Sequence, residues 1–221
     1  MPLYVSHRKS IRWPPADPSE PTDTIVLTGE TGVFVDVRIV KGSNALDWAI
    51  AGYRTQTGTN TVKFTHLIDS RSENTDGLEE HCTNTVLSDG SVLEVGEMVN
   101  PETGKVAPYE EVWLDEEQKQ TVTRWSAVTR AIFIRDVDNR TWQGRVGDWQ
   151  LGLGRNGDGT FWAWQAVKGN GVEGEWRVVR ETKVKDEKRG GIIPEIYYGD
   201  WKEGQIIEWQ SRSWVVLELR C

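Results

Sequence analysis

Apolar and polar residues alternate along this chain in runs of 5–8 residues, and a helical repeat is nearly absent. Val33, Val35, Val37 and Ile39 alternate with Phe34, Asp36, Arg38 and Val40. Val62, Phe64, His66 and Ile68 alternate with Lys63, Thr65, Leu67 and Asp69. The same period of two runs through residues 109–114, 131–136, 161–167 and 214–219. Successive side chains of an extended strand point to opposite faces, so each run predicts a half-buried strand. Reversal signals fall between the runs. Asp89-Gly90 is a candidate two-residue hairpin, because both residues tolerate positive φ. Asn100-Pro101-Glu102-Thr103-Gly104-Lys105 suits a type I turn closed by a left-handed glycine. Residues 156–159 and 202–205 read as two further reversals, and residues 84–109 as either paired strands or a loop. Pro14, Pro15, Pro18 and Pro21 lack the ladder donor, so this stretch is expected to be an extended lead-in rather than a central strand.

Strands every ~8–12 residues with turns between them indicate a sandwich or barrel. Closure removes open edges. The expected fold is therefore all-β, two antiparallel barrels in tandem. Composition supplies the division. Residues 1–120 hold 10 Lys+Arg and 20 Asp+Glu, whereas residues 121–221 hold 16 and 14. Ten of the 12 tryptophans lie at or after Trp113, while His7, His66 and His81 all precede residue 82. The polar stretch at 115–120 marks the shift and predicts units at 1–118 and 119–221.

The formal net charge of −8 argues against a general nucleic-acid binder, which needs a basic footprint. No run of ~18 apolar residues is present to span a membrane. The first residues lack the apolar stretch of a secretory signal. With only Cys82 and Cys221, the expected setting is the reducing cytosol or nucleus.

Candidate chemistry is sparse. Nucleophilic catalysis usually needs a histidine base, and none follows residue 82. His66 shares a face with Val62, Phe64 and Ile68 and reads as a satisfied core histidine. His81 and Cys82 point to opposite faces, and there is no CxxC, HxH or HExxH pattern. No metal, cofactor or catalytic residue is expected. Gly152-Leu153-Gly154-Arg155-Asn156-Gly157 resembles a dinucleotide loop but leads into a strand instead of a helix. The paired acids and the basic segment at 183–189 read as solvated faces.

The tryptophans are the most informative feature, eight of them crowding residues 142–214. Core packing is the plainer reading. An aromatic-lined barrel pocket is the functional one. Continuing the alternation through residues 145–153 puts Arg145 on the face of Trp149 and Leu151. A buried arginine must be paired or hold an anion. Trp149, Arg145 and Trp164 are accordingly the candidate ligand-binding residues.

Several blocks in one order resemble a known family. They are Ile11-Arg12-Trp13, Asp47-Trp48-Ala49-Ile50-Ala51-Gly52, His66-Leu67-Ile68-Asp69-Ser70-Arg71, Asn100-Pro101-Glu102-Thr103-Gly104-Lys105-Val106, Tyr109-Glu110-Glu111-Val112-Trp113 and Trp142-Gln143-Gly144-Arg145-Val146-Gly147. Together they look like the fungal Hri-one proteins, named for interaction with a yeast casein kinase I. The resemblance implies two lipocalin-like barrels, cytoplasmic and nuclear residence, and a protein partner such as a casein kinase I-type kinase. It supplies no catalytic residues. The expected function is a non-enzymatic, intracellular protein-interaction role. The alternatives are a binder of a small hydrophobic or anionic ligand and, less favoured, an isomerase or cyclase acting on a hydrophobic metabolite.

Overall fold

A computed structural model describes residues 1–117, 130–169, 174–184, 191–194 and 200–220. Eight antiparallel strands form the first half: β1 (Tyr4–Arg12), β2 (Thr22–Thr28), β3 (Val33–Val40), β4 (Leu46–Gln56), β5 (Thr61–Asp69), β6 (Glu79–Val86), β7 (Val92–Val99) and β8 (Val106–Glu117). Each pairs with the next, and β8 pairs back onto β1, closing an up-and-down barrel. Residues 84–109 are thus paired strands. The prolines form the β1–β2 connection rather than a lead-in, because β1 already runs from Tyr4. Gly90 and Gly104 take the positive φ expected of them, 84° and 67°.

The second half holds β9 (Ala131–Asp136), β10 (Thr141–Val146), β11 (Trp149–Arg155), β12 (Phe161–Lys168), β13 (Trp176–Glu181), β14 (Ile206–Trp209) and β15 (Arg212–Arg220). They form one sheet in the order β13-β12-β11-β10-β9-β15-β14. Among the described residues this sheet is open, since β13 and β14 do not pair with each other, so the expected second closed barrel is not seen there. Its far face is instead filled by the chain itself. Ile192 packs with Trp162 and Trp164, and Ile193 packs with Ile132, Ile134 and Trp214. The Gln150 carboxamide holds the backbone N–H and C=O of Ile193 at 2.9 and 3.1 Å. The expected boundary at residues 118/119 lies outside the described residues, as does most of the basic segment at 183–189. No helix is present among the described residues, and none is long and apolar enough to cross a membrane.

The two halves share one core. Val33, Val35, Val37 and Ile39 point out of the barrel and pack, with Ile25, Leu27 and Ala51, against Phe133, Trp142, Val146, Leu151 and Leu153 of the sheet. Strand β3 is therefore buried on both faces. Polar contacts complete the seam. The Gln165 amide donates to the carbonyls of Asp23 and Val37, both at 2.9 Å, and Arg155 donates to the carbonyls of Asp69 and Ser72 at 2.6 and 2.9 Å.

Candidate functional site

With one face of β3 committed to the shared core, Phe34, Asp36 and Arg38 point into the barrel. A charge placed there must find partners, because burying it alone is costly. Arg38 grips Asp36 through Nε and Nη2 and donates from Nη1 to Glu111 at 2.9 Å. Arg8 donates to the same Glu111 oxygen at 2.5 Å and to Glu20 and Thr22. Burial opposes the charge on Arg38, but the Asp36 and Glu111 carboxylates outweigh it and hold its pKa well above the ordinary value. Burial raises the pKa of Asp36, against the pull of Arg38. The guanidinium also lies over Trp48, 4.9 Å from the ring centroid.

A bulge builds the second polar group. Pairing runs Ala51↔Ile68 and then Gly52↔His66, leaving Leu67 extra. Ile68 consequently faces the shared core, while His66 and Asp69 both face inward. Only glycine fits opposite this bulge, since a Cβ on Gly52 would stand 1.9 Å from the Thr65 carbonyl oxygen. His66 Nδ1 donates to Asp69 Oδ2 at 2.9 Å, and the other Asp69 oxygen accepts from Trp48 Nε1 and the Arg71 N–H at 2.9 and 2.7 Å. Burial works against the imidazolium, but the hydrogen bond to Asp69 and the charges of Asp69 and Glu80 win and raise its pKa to about 9. Burial likewise opposes ionisation of Asp69, and the bonds from His66, Trp48 and Arg71 overcome it and lower its pKa. His66 is buried, as the strand pattern predicts, but the bulge takes it off the face of Ile68, and only half of its ring is satisfied. Its Nε2 lies 3.7 Å from Glu80, within ion-pair reach but too far for a hydrogen bond, and makes no hydrogen bond among the described residues.

Glu94 is the third polar group. It accepts from the Tyr109 hydroxyl at 3.0 Å, and burial, reinforced by the charge of Glu111, raises its pKa to about 7. These groups end a cavity of about 380 Å³ inside the barrel. Its mouth is marked by the exposed residues Met1, Gln56, Asn60 and Val86. Val26, Phe34, Ile50, Phe64 and Trp113 give it apolar walls, and Asp36, Arg38, His66, Glu94 and Glu111 lie deep. The arrangement can take an organic molecule of moderate size and meet its polar end with groups already fixed in place.

A model of the family described as Protein HRI1 matches residues 4–218. The chain belongs to this family. It is also similar in structure to an uncharacterized protein, YLR301w, from Saccharomyces cerevisiae. The TM-score is 0.74 at 17% identity, and the whole of both chains is covered, a likeness of fold. No curated protein matches the chain.

In this Hri-one family member the three residues singled out in the second half stand apart from the cavity. Trp149 faces the shared core, edge-on to His7 at 5.3 Å. Arg145 is buried on the opposite face and donates to the Pro194 carbonyl at 3.2 Å. Trp164 lies on that same far face, where a Cβ on Gly152 would come within 2.4 Å of its ring. The parity linking Arg145 to Trp149 fails because Gly147-Asp148 is a two-residue turn. Val146 pairs with Trp149 and Arg145 with Gln150, so the alternation inverts across it. The deep cavity residues carried uneven signals. Asp36 and Arg38, two charges on one face of a valine-rich strand, were a readable sign of a buried pair. Glu94 and Glu111 had none, because acids are frequent in this half.

Proposed function

We propose that the protein is a small-molecule binding protein whose site is the lumen of its eight-stranded barrel. One observation carries this reading: a cavity of about 380 Å³ whose deep wall includes a buried His66 Nε2 that makes no hydrogen bond among the described residues. Buried polar atoms are seldom left unpaired, and strongly shifted titratable groups in a cleft mark functional sites. On this reading the first barrel is lipocalin-like in use, and the second sheet braces its outer wall. The reading places the ligand in the first half rather than beside Trp149, Arg145 and Trp164. Native mass spectrometry of the protein purified from its own source tests it. A discrete small molecule released on denaturation supports the reading. A bare mass together with no uptake of apolar probes overturns it.

A second reading rests on a different surface. Val95, Val99, Val106 and Leu114 are exposed on the outer face of β7 and β8. Apolar residues clustered on an outer sheet face favour a protein contact. This fits the interaction role, the kinase-type partner and the cytoplasmic and nuclear residence that the family resemblance implies. Binding of a purified casein kinase I-type kinase that persists unchanged in Val95→Asp and Leu114→Asp overturns it.

A further inference from the structure

The polar groups deep in the barrel define the chemistry of what would enter it, if the lumen is the binding site proposed above. His66 Nδ1 is committed to Asp69, which fixes the ring and turns Nε2 toward Glu80. The 3.7 Å between Nε2 and Glu80 Oε2 is too long for a direct bond. It suits a single group that accepts from one atom and donates to the other. Trp113 Nε1, on a second buried side chain lining the cavity, also makes no hydrogen bond among the described residues. The vacant protein groups deep in the cavity are therefore donors, with carboxylates beside them.

Three classes of head group match this poorly. A carboxylate would approach a pocket lined by Asp36, Glu80, Glu94 and Glu111, whose deep arginine, Arg38, is already held by Asp36 and Glu111, while the other lining arginine, Arg54, lies beside Met1 at the mouth. An ammonium would meet the carboxylates but leave His66 Nε2 and Trp113 Nε1 unpaired, and would face the His66 imidazolium. A hydrocarbon would leave every polar group buried and unmatched, which costs affinity. An amide edge has a carbonyl oxygen next to an N–H and can answer both signs. Phe34, Phe64 and Trp113 offer flat apolar surface for the rest of the molecule. We infer that the barrel takes an apolar or aromatic molecule carrying a neutral amide-type head, a carboxamide or lactam. Its carbonyl accepts from His66 Nε2 and its N–H donates to Glu80.

The test holds the body constant and changes the head. The intact protein is titrated by calorimetry with 2-naphthamide, 2-naphthoate, 2-naphthylmethylammonium and 2-methylnaphthalene, with the His66 side-chain nitrogens followed by NMR. The amide is expected to bind at least about tenfold more tightly than the other three, because sites built to pair polar groups reject analogues that lack them. It alone should shift the Nε2 resonance. Glu80→Ala should reduce the amide's affinity roughly tenfold while leaving 2-methylnaphthalene unchanged. Tightest binding by the naphthoate or the ammonium overturns the head-group assignment and keeps the lumen reading. Equal binding by all four does the same, and means that a water bridges His66 and Glu80 without discrimination. Binding by none of them overturns the lumen reading itself.

Discussion

At the scale of single residues, the barrel interior keeps groups that ordinary packing would discard. Glu94 shows this most clearly. Its carboxyl is buried next to the charge of Glu111, which together raise its pKa to about 7. A raised acid pKa means that the fold disfavours the ionised form, so stability falls as pH rises from about 4.5 through 7. Glu94→Gln keeps an acceptor for Tyr109 and removes the charge. At pH 8 it should stabilise the protein by on the order of 1–3 kcal/mol, measured by urea unfolding. No gain at pH 8 would show that Glu94 ionises there without strain. His66 works in the next window. Its pKa is raised from 6.5 to about 9, so its contribution is full below about pH 6.5 and is lost as pH rises through about 9. Asp69 has the opposite sense. Its lowered pKa gives stability that is present above its unfolded value and lost in acid. Unfolding free energy should therefore decline between pH 6.5 and 9 in the wild type, and His66→Gln should flatten that slope. A slope that survives the substitution would assign the titration to another group.

At the scale of elements, strands were legible and their irregularities were not. Runs of period two located β3, β5, β8, β9, β12 and β15, because half-buried strands leave that pattern whatever covers each face. The pattern fails wherever a strand gains a residue or a turn resets its phase. The Leu67 bulge separates Ile68 from His66, and the Gly147-Asp148 turn separates Arg145 from Trp149. The β14–β15 reversal was hidden for another reason. It is made by Gln210 and Ser211 at φ 51° and 59°, without the glycine or asparagine that announces such turns. The bulge between Val216 and Glu218 in β15 has a structural consequence. It brings Glu218, fully buried, against the β2–β3 turn, where its oxygens accept from the Glu30 N–H, the Thr31 N–H and the Thr31 hydroxyl at 2.7, 2.8 and 2.5 Å. Glu218→Ala strands these donors and should cost about 2–4 kcal/mol of stability, with the Glu30 and Thr31 amides losing hydrogen-exchange protection. Unchanged protection at those two amides would mean that the turn is held by its own bonds.

At the scale of the whole molecule, the charge shift and the tryptophan gradient point to two units, whereas the packing makes them interdependent. The most apolar strand of the barrel, β3, turns Val33, Val35, Val37 and Ile39 outward, each fully buried only because the sheet lies on them. In return Phe133, Trp142, Leu151 and Leu153 bury their side chains against the barrel. Burial of a valine, leucine or isoleucine side chain contributes roughly 1.5–3 kcal/mol, so removing this seam would strip either half of more than the marginal stability of a typical domain. The lumen depends on the seam as well, because Phe34, Asp36 and Arg38 are aimed inward by the same strand whose other face the sheet covers. The chain should therefore unfold in one cooperative transition. Tryptophan emission, dominated by the second half, should trace the same urea curve as the His66 ring signal from inside the barrel, with a single midpoint. Val35→Asp, placed in the seam and touching neither lumen nor far face, should move both curves together to lower urea. Two separated midpoints, or a Val35→Asp shift confined to one probe, would mean that each half stands alone and that the sheet covers the barrel without supporting it.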